Sequence, residues 1–519
     1  MLAAVAMALS PAAFAQDAPE KGSISLEDLR KERTVLAHKK RRILMNNDGN
    51  EPVFKAREVS RKALLDPRTT ALAGTQVDTI FYASSHGFSV VTHESKVGTV
   101  WSYKGEGSRN LTPDFIKAGL DPLRVFREFT RENGIELFWS FRVNDTHDAG
   151  RPQVFANTPF KTRNPHLLMG TKEDPALVRG SWSAVDYGKA EVRELAFRLS
   201  EEVCREKDVD GIEWDFWRHA LYFKNTALGK ECGDEQREQM TELMRRVRKM
   251  TEEEGIRRGR PVLFAVRVPD SVEFCRALGL DLERWLEEDL FDLLVTTGYT
   301  RMNPWEYSAA LAKRYGKPFY ASLDDCRIKN DEEATAARKS NLAKRARALA
   351  ALRAGADGIY TFNWFNPNDP FWKEGGDIAL LNRSDKTYFA SYRGTGRAYG
   401  LPYKPFIRIP LLTPADPLRM GNGESHEVPI RIADDFAEAG KTPEITLRLK
   451  FNGPPPNAEF TFNGAPLGGA RMNGNEAVFS VKAEAVKTGD NRIGLKMGDN
   501  GKRRMSLTDL AVDVRYAPN

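Results

Sequence analysis

From Arg41 onward, short apolar runs rich in β-branched and aromatic residues alternate with stretches of helical period. The runs are RRILMNNDG (Arg41–Gly49), DTIFYASS (Asp78–Ser85), IELFWSFRVND (Ile135–Asp145), DGIEWDF (Asp210–Phe216), VLFAVRVP (Val262–Pro269), DLLVTTGY (Asp292–Tyr299), PFYASLDD (Pro318–Asp325) and DGIYTFNW (Asp357–Trp364). Amphipathic helices are predicted between them, most clearly at Ala190–Lys207, Asp234–Glu254 and Ala334–Ala354. Such alternation predicts βα units on a parallel sheet. Eight units in one segment predict a closed (β/α)8 TIM barrel, over residues 41–404. The rival, an open doubly wound sheet, calls for a Gly-rich phosphate loop that this stretch lacks.

Near Tyr403 the period changes. Prolines cluster at Pro402, Pro405, Pro410 and Pro414, and helical spacing stops. Then EVPIRI, EITLRLKF, AEFTFNG, EAVFSVKA, NRIGLKM and LAVDVRY alternate apolar and polar positions, separated by turns such as FNGPPPN and KTGDN. Residues 405–519 are therefore predicted to form a small all-β sandwich. This module has no Trp, and its Phe residues occupy alternating strand positions, which favours bracing the barrel over binding a ligand.

Ahead of the barrel, MLAAVAMALSPAAFAQDAP is apolar and ends in Ala13-Phe14-Ala15 before Gln16. Residues 1–15 have the length and cleavage pattern of an export signal, though without a basic n-region. A polar, helical lead-in is expected over 16–40. No later run is long and apolar enough for a membrane helix, so the expected location is periplasmic or secreted. Cys204, Cys232, Cys275 and Cys326 are too few and too far apart for a disulfide framework or a C-x-x-C zinc site. The net charge of +6 is small for 519 residues and evenly spread, and no nucleic-acid-binding motif is present. Nothing in the pattern sets an oligomeric state.

The fourth run carries the strongest chemical signal. In DGIEWDFWRH, Glu213 and Asp215 lie two apart and share one strand face, while Trp214 points the other way. If Trp214 packs on the helices, both acids face the barrel axis. Two inward carboxylates left unpaired cost several kcal/mol, so they need partners or a function. The structural alternative is an ion pair with Arg142 or Arg267 from a neighbouring strand. Other strand ends add polar groups: Asn47 and Asp48 on the first, His86 on the second, and Arg142, Asn144, Asp145 and His147 on the third. Arg218 and His219 follow the fourth, Arg267 lies on the fifth, Tyr299 ends the sixth, Asp324 the seventh, and Asn363 and Trp364 the eighth. Barrel enzymes build their sites on this rim, and long insertions, Asn144–Tyr187 and His219–Gly233, also fall there. Acids, amides, arginines and rings on one concave rim suit a polyhydroxylated ligand, so the thirteen of these rim residues other than Asp324 are candidate substrate contacts.

The segment VDYGKAEVRELAFRLSEEVCREKDVDGIEWDFWRH resembles that of bacterial family-10-like glycosyl hydrolase barrel proteins. ILMNNDG, ELFWSFRVND and GIYTFNW agree with it, and the likeness runs from Arg41 to Tyr403. It implies an exported TIM barrel acting on carbohydrate, and it carries the family's strand-four acid onto Asp215.

Glycoside hydrolysis needs one carboxyl group as acid and another as nucleophile or base. Asp215 is the first candidate, with Glu213 or Asp324 as its partner. No cofactor is called for. Metal-dependent hydrolysis is the weaker enzymatic alternative, because the seven histidines form no H-x-H or H-E-x-x-H, and a site from His86, Asp145 and His147 is only loosely specified. A third class is a barrel that binds carbohydrate without cleaving it.

Overall fold

The computed structural model describes residues 24–104, 109–393 and 400–516. The expected signal at residues 1–15 and the lead-in before residue 24 lie outside the described residues. Eight parallel strands close a barrel, in chain order: β1 (Ile43–Asn47), β2 (Val77–Tyr82), β3 (Glu136–Arg142), β4 (Gly211–Asp215), β5 (Leu263–Val268), β6 (Leu293–Thr296), β7 (Phe319–Asp324) and β8 (Gly358–Phe362). Each apolar run predicted as a strand forms one of these.

A recurring polar contact ties the strand starts together. The carboxylate of Asp78 accepts the N–H of Arg42, Asp210 that of Leu137, Asp292 that of Phe264, and Asp357 that of Phe319, all at 2.7–2.9 Å. At each even-numbered strand, therefore, an Asp at or just before the start satisfies an amide where the preceding odd-numbered strand begins. An edge amide left unpaired there would cost a hydrogen bond's desolvation.

Inside the barrel, Leu44, Phe81, Phe138, Leu263, Ala265, Leu293, Val295, Tyr320, Tyr360 and Phe362 form one axial cluster. Helix α1 (Leu26–Ala37) closes the N-terminal end by adding Ala37 to that cluster. Arg41 seals the plug: fully buried, it donates to the Glu136 carboxylate at 2.6 Å and to the carbonyls of Ala37 and Leu36. Outside, α2 (Ala190–Glu206) and α3 (Asp234–Arg258) match two of the predicted helices. The third divides into α4 (Glu332–Lys339) and α5 (Asn341–Arg353), because Ser340 leaves the helix and its hydroxyl caps the N–H of Ala343.

The C-terminal part is two antiparallel sheets. One joins β9 (Lys386–Phe389), β12 (Glu444–Phe451), β14 (Glu476–Val481) and β16 (Met505–Arg515), with β10 (Leu418–Met420) also on β16; the other joins β11 (Ser425–Ile432), β13 (Ala458–Phe462) and β15 (Gly489–Met497). β9 lies ahead of the proline cluster, yet pairs with β16 from Lys386–Val514 to Phe389–Ala511. The chain thus enters the sandwich before it leaves the residues expected to be barrel. Lys386, Tyr388 and Tyr516 all bind the buried Asp434 carboxylate, which links the two sheets.

Barrel and sandwich are pinned together by charge. Arg338 on α4 is fully buried and grips Asp509 of β16 with two hydrogen bonds of 2.7 and 3.0 Å. Arg431 pairs with Glu306, and Arg353 with Glu438. Helix α5 also lays Ala343 against Phe389 and Ala511 of the sandwich. A guanidinium stranded in a buried interface is strongly destabilising. Asp509→Ala should therefore lower the unfolding free energy by about 3–5 kcal/mol, read as a shift in the denaturant midpoint; a change within experimental error would show that the pair does not hold the domains.

Candidate active site at the barrel mouth

The alternation of strand side chains puts Glu213 and Asp215 inside the barrel, above the axial apolar cluster. Both are buried, with relative exposures of 0% and 3%. Trp214 points outward, and its indole N–H donates to Ser200 on α2. Asp215 binds the guanidinium of Arg267 on β5 at 2.5 Å, and its other oxygen accepts the N–H of Trp217 at 2.9 Å. Arg267 is itself fully buried, and its guanidinium carbon lies 3.9 Å from the centre of the Phe362 ring. One arginine of the structural alternative is therefore realised; Arg142 is engaged elsewhere.

Glu213 sits one layer deeper. It accepts from the Ser140 hydroxyl at 2.5 Å and the Tyr360 hydroxyl at 3.1 Å, while its Oε1 has no partner among the described residues. Burial, reinforced by the nearby charge of Asp215, pushes its carboxyl up to about 7. The two acids on one strand thus sit in different surroundings, one against a fixed cation and one holding its proton to near neutrality.

Close packing at the next strand end makes this possible. A Cβ on Gly298 would lie 2.2 Å from the Trp217 ring and 2.6 Å from the Arg267 guanidinium, so only glycine leaves room for both. The preceding Thr297 has φ 67°, and Asn363 at the end of β8 has φ 63°. Asn tolerates the left-handed region; for β-branched Thr it is a strained backbone at the mouth.

Above this layer is a cavity of about 360 Å³. Asp48, His147, Arg218, Tyr299 and Asn363 line it, with Trp217, Phe274, Arg327, Phe365, Arg393 and Tyr403. Arg218 spans its base, 3.7 Å from Asp48 and 3.4 Å from the Asn363 oxygen, and its Nε has no partner among the described residues. Burial opposes ionisation of Asp48, but Arg218, Arg142 and Arg68 together hold its carboxyl well below the usual range. Asp215 and Glu213 do not line the cavity. Asp215 lies beneath its floor, attached to the backbone of a residue whose ring lines it.

A second network flanks the cavity. Arg142 joins Asp48 at 2.7 Å, Asp145 at 3.1 Å and the His86 ring at 3.0 Å. Asp145 binds Nδ1 of His147 at 2.6 Å, and the His147 and His219 rings lie 4.6 Å apart. Burial keeps His86 and His219 well below the usual histidine range, with Arg142 adding to the effect. For Asp145 burial works the other way, yet His147, Arg142 and His219 overcome it and depress its carboxyl. Asp145, His147 and His219 offer ligand atoms within 4.8 Å of one another, the only such group among the described residues. Nδ1 of His147 is spent on Asp145, however, and Nδ1 of His219 accepts the N–H of Thr146 at 2.9 Å.

The remaining candidates lie apart from the cavity. Asn144 knots two loops, its amide donating to the carbonyls of Val185 and Leu221. Asn47 caps the turn at Gly49. Trp364 meets Phe371 and Trp372 edge-to-face and does not line the cavity. Asp324 faces a separate cavity, with one oxygen on Arg347 at 2.9 Å and the other on Arg393. Strand-end logic did not reach Trp217, Arg327, Phe365, Arg393 or Tyr403. Arg393 and Tyr403 lie in and around the proline-flanked connection, where sequence carries no periodic signal.

No family model matches the sequence, and no curated protein matches it. Solved structures to which it is similar include α-L-fucosidase isoenzyme 2 from Paenibacillus thiaminolyticus (14% identity, TM-score 0.40, 66% of this chain and 48% of that one). Others are a glycoside hydrolase family 18 N-acetylglucosaminidase from Paenibacillus barengoltzii (12%, TM-score 0.36, 66% and 98%) and the PgaB (BpsB) glycoside hydrolase domain from Bordetella bronchiseptica (12%, TM-score 0.43, 65% and 98%). The chain spans about half the length of the fucosidase.

The raised carboxyl of Glu213 has a consequence for stability. Its folded value, about 7, exceeds the ordinary 4.5, so the folded state binds more protons between those limits. Its contribution to stability is full below pH 4.5 and falls as pH rises to about 7. Glu213→Gln, which stays neutral, should unfold at a higher temperature than the wild type at pH 8, by roughly 2–4 kcal/mol in stability, and differ little at pH 4.5. Equal pH dependence of the two proteins in calorimetry would show that Glu213 is not the titrating group.

Proposed function

We propose that this protein is an exported glycoside hydrolase acting on a polysaccharide or oligosaccharide at the barrel mouth. The supporting observation is the pair Glu213 and Asp215, inward on one strand, in which Glu213 holds its proton to about pH 7 while Asp215 faces Arg267. Glu213 serves as the proton donor side of the pair and Asp215 as the carboxylate. The aromatic walls of the mouth, Trp217, Phe274, Phe365 and Tyr403, suit sugar faces, and Asp48, His147 and Asn363 suit hydroxyls. Substrate reaches Asp215 only if the Trp217–Arg218 segment moves, since that segment forms the cavity floor. Asp324 is the weaker partner, because guanidinium groups occupy both of its oxygens. Export, to the periplasm or medium, follows from the apolar N-terminal run and its A-x-A site.

A second reading is a barrel that binds carbohydrate without cleaving it. The burial of Asp215 beneath the mouth is the observation that favours it. One experiment separates the two: the wild type and Asp215→Asn are incubated with a panel of polysaccharides, and new reducing ends are measured beside binding. The hydrolase predicts turnover with a bell-shaped pH profile, lowered by several orders of magnitude in Asp215→Asn with binding retained. Turnover undiminished in the variant removes the assignment of Asp215, and binding without turnover in the wild type favours the second reading.

A further inference from the structure

A cavity of about 600 Å³ lies between the barrel and the sandwich. It descends to Gly298 and Ser322 at the tops of β6 and β7 and is roofed by sandwich residues such as Ile430 and Asp490. Its volume is that of a ligand site. Tyr299 and Arg393 face both this cavity and the mouth, so the two spaces are neighbours across a wall one residue thick.

Its charge does not balance. Arginines 301, 347, 393, 408 and 431 line it, against the carboxylates of Asp324, Glu306 and Asp490. Asp324 is taken by Arg347 and Arg393, while Glu306 and Asp490 are both taken by Arg431. Among the described residues the Arg408 guanidinium donates only to the carbonyls of Pro405 and Ile407. Arg301 makes no hydrogen bond or ion pair among the described residues and rests 5.1 Å over the Trp305 ring. The acid behind it, Asp270, spends both oxygens on the N–H groups of Met302 and Asn303. In the same cavity, the buried Ser322 hydroxyl also lacks a partner among the described residues. An unpaired half-buried cation and an unsatisfied hydroxyl in one enclosed space call for an anionic, hydroxyl-bearing ligand.

We propose that this junction cavity binds the acidic group of an anionic carbohydrate, a carboxylate or a sulfate ester, with Arg301 as the main contact and Arg408 beside it. The proposal rests on the carbohydrate reading above and names its substrate class. It places the acidic unit next to the mouth, across Tyr299 and Arg393.

Titration calorimetry on the full chain tests it, using oligogalacturonides, sulfated galactan oligosaccharides and neutral galactan oligosaccharides of matched length. At least one acidic series should bind more tightly than the neutral one, and more weakly as salt rises. Preference for the first acidic series identifies a carboxylate, for the second a sulfate. Arg301→Gln should weaken acidic binding at least about tenfold and leave neutral binding unchanged, with Arg301→Lys between. Its unfolding midpoint should not fall, since no ion pair is lost; if it does fall, Arg408→Gln provides the same comparison. Equal affinity for acidic and neutral series, or undiminished acidic binding in a folded variant, overturns the proposal. If neutral chains are bound or cleaved without preference for acidic ones, this inference fails alone. If no carbohydrate is bound or cleaved, the functional reading fails with it.

Discussion

The arrangement at the mouth depends on a guanidinium buried on the barrel axis. Arg267 cannot be deprotonated in a protein, so its charge has to be answered where it lies. Asp215 answers it at 2.5 Å, and the Phe362 ring covers it at 3.9 Å. Glu213, two residues earlier and fully buried, holds its proton to about pH 7 chiefly because of that burial, with the charge of Asp215 adding to it and Arg267 opposing it. The same guanidinium requires Gly298, because any side chain there would occupy its space. Strand four, strand five and the end of strand six are thus fixed together by one cation. Around that cation the two acids of strand four differ in their surroundings, Asp215 on a guanidinium and Glu213 on two hydroxyl groups.

Much of the fold was legible because its local signals agree. The runs beginning DTIF, DGIE, DLLV and DGIY mark strands not only by their apolar content. Their leading Asp accepts an amide where the preceding strand starts, so the same residue that bounds the run also stitches the barrel. The proline cluster was less informative. It marks the loss of helical period, but β9 had already joined the sandwich, because strand pairing with β16 is a contact between distant parts of the chain. A four-residue strand of mixed polarity has no local signature of the sheet it enters. The division at Ser340 was readable in principle, as a Ser-Asn step inside a helical pattern, but its period continues on both sides.

The site was legible in residue type and less so in arrangement. Period-two alternation put Glu213 and Asp215 on one inward face, and both are found there. Whether a strand-end side chain meets the cavity depends on partners from other strands. Asp48, His147, Arg218, Tyr299 and Asn363 reach it; Asn144 and Asn47 are drawn into loop knots, and Trp364 into an aromatic cluster. Asp324 looked free at a strand end, yet Arg393, sixty-nine residues further on, closes over it. Such pairings form only when the connection to the sandwich folds back over the rim.

That connection changes what the sandwich does. The absence of Trp and the inward Phe residues pointed to bracing, and the ion pairs of Arg338, Arg431 and Arg353 supply it. The sandwich also shapes the space beside the mouth. The sandwich provides one wall of the junction cavity through Ile430, Arg431 and Asp490, and the connection leading into it provides Arg393, which also faces the mouth. Arg431 stands between Glu306 of the barrel and Asp490 of the sandwich and pairs with both, so this wall of the cavity is built by the domain contact itself. The same contacts that fasten the sandwich to the barrel therefore also shape the cavity between them, whose lining carries Arg301, Arg347, Arg393, Arg408 and Arg431.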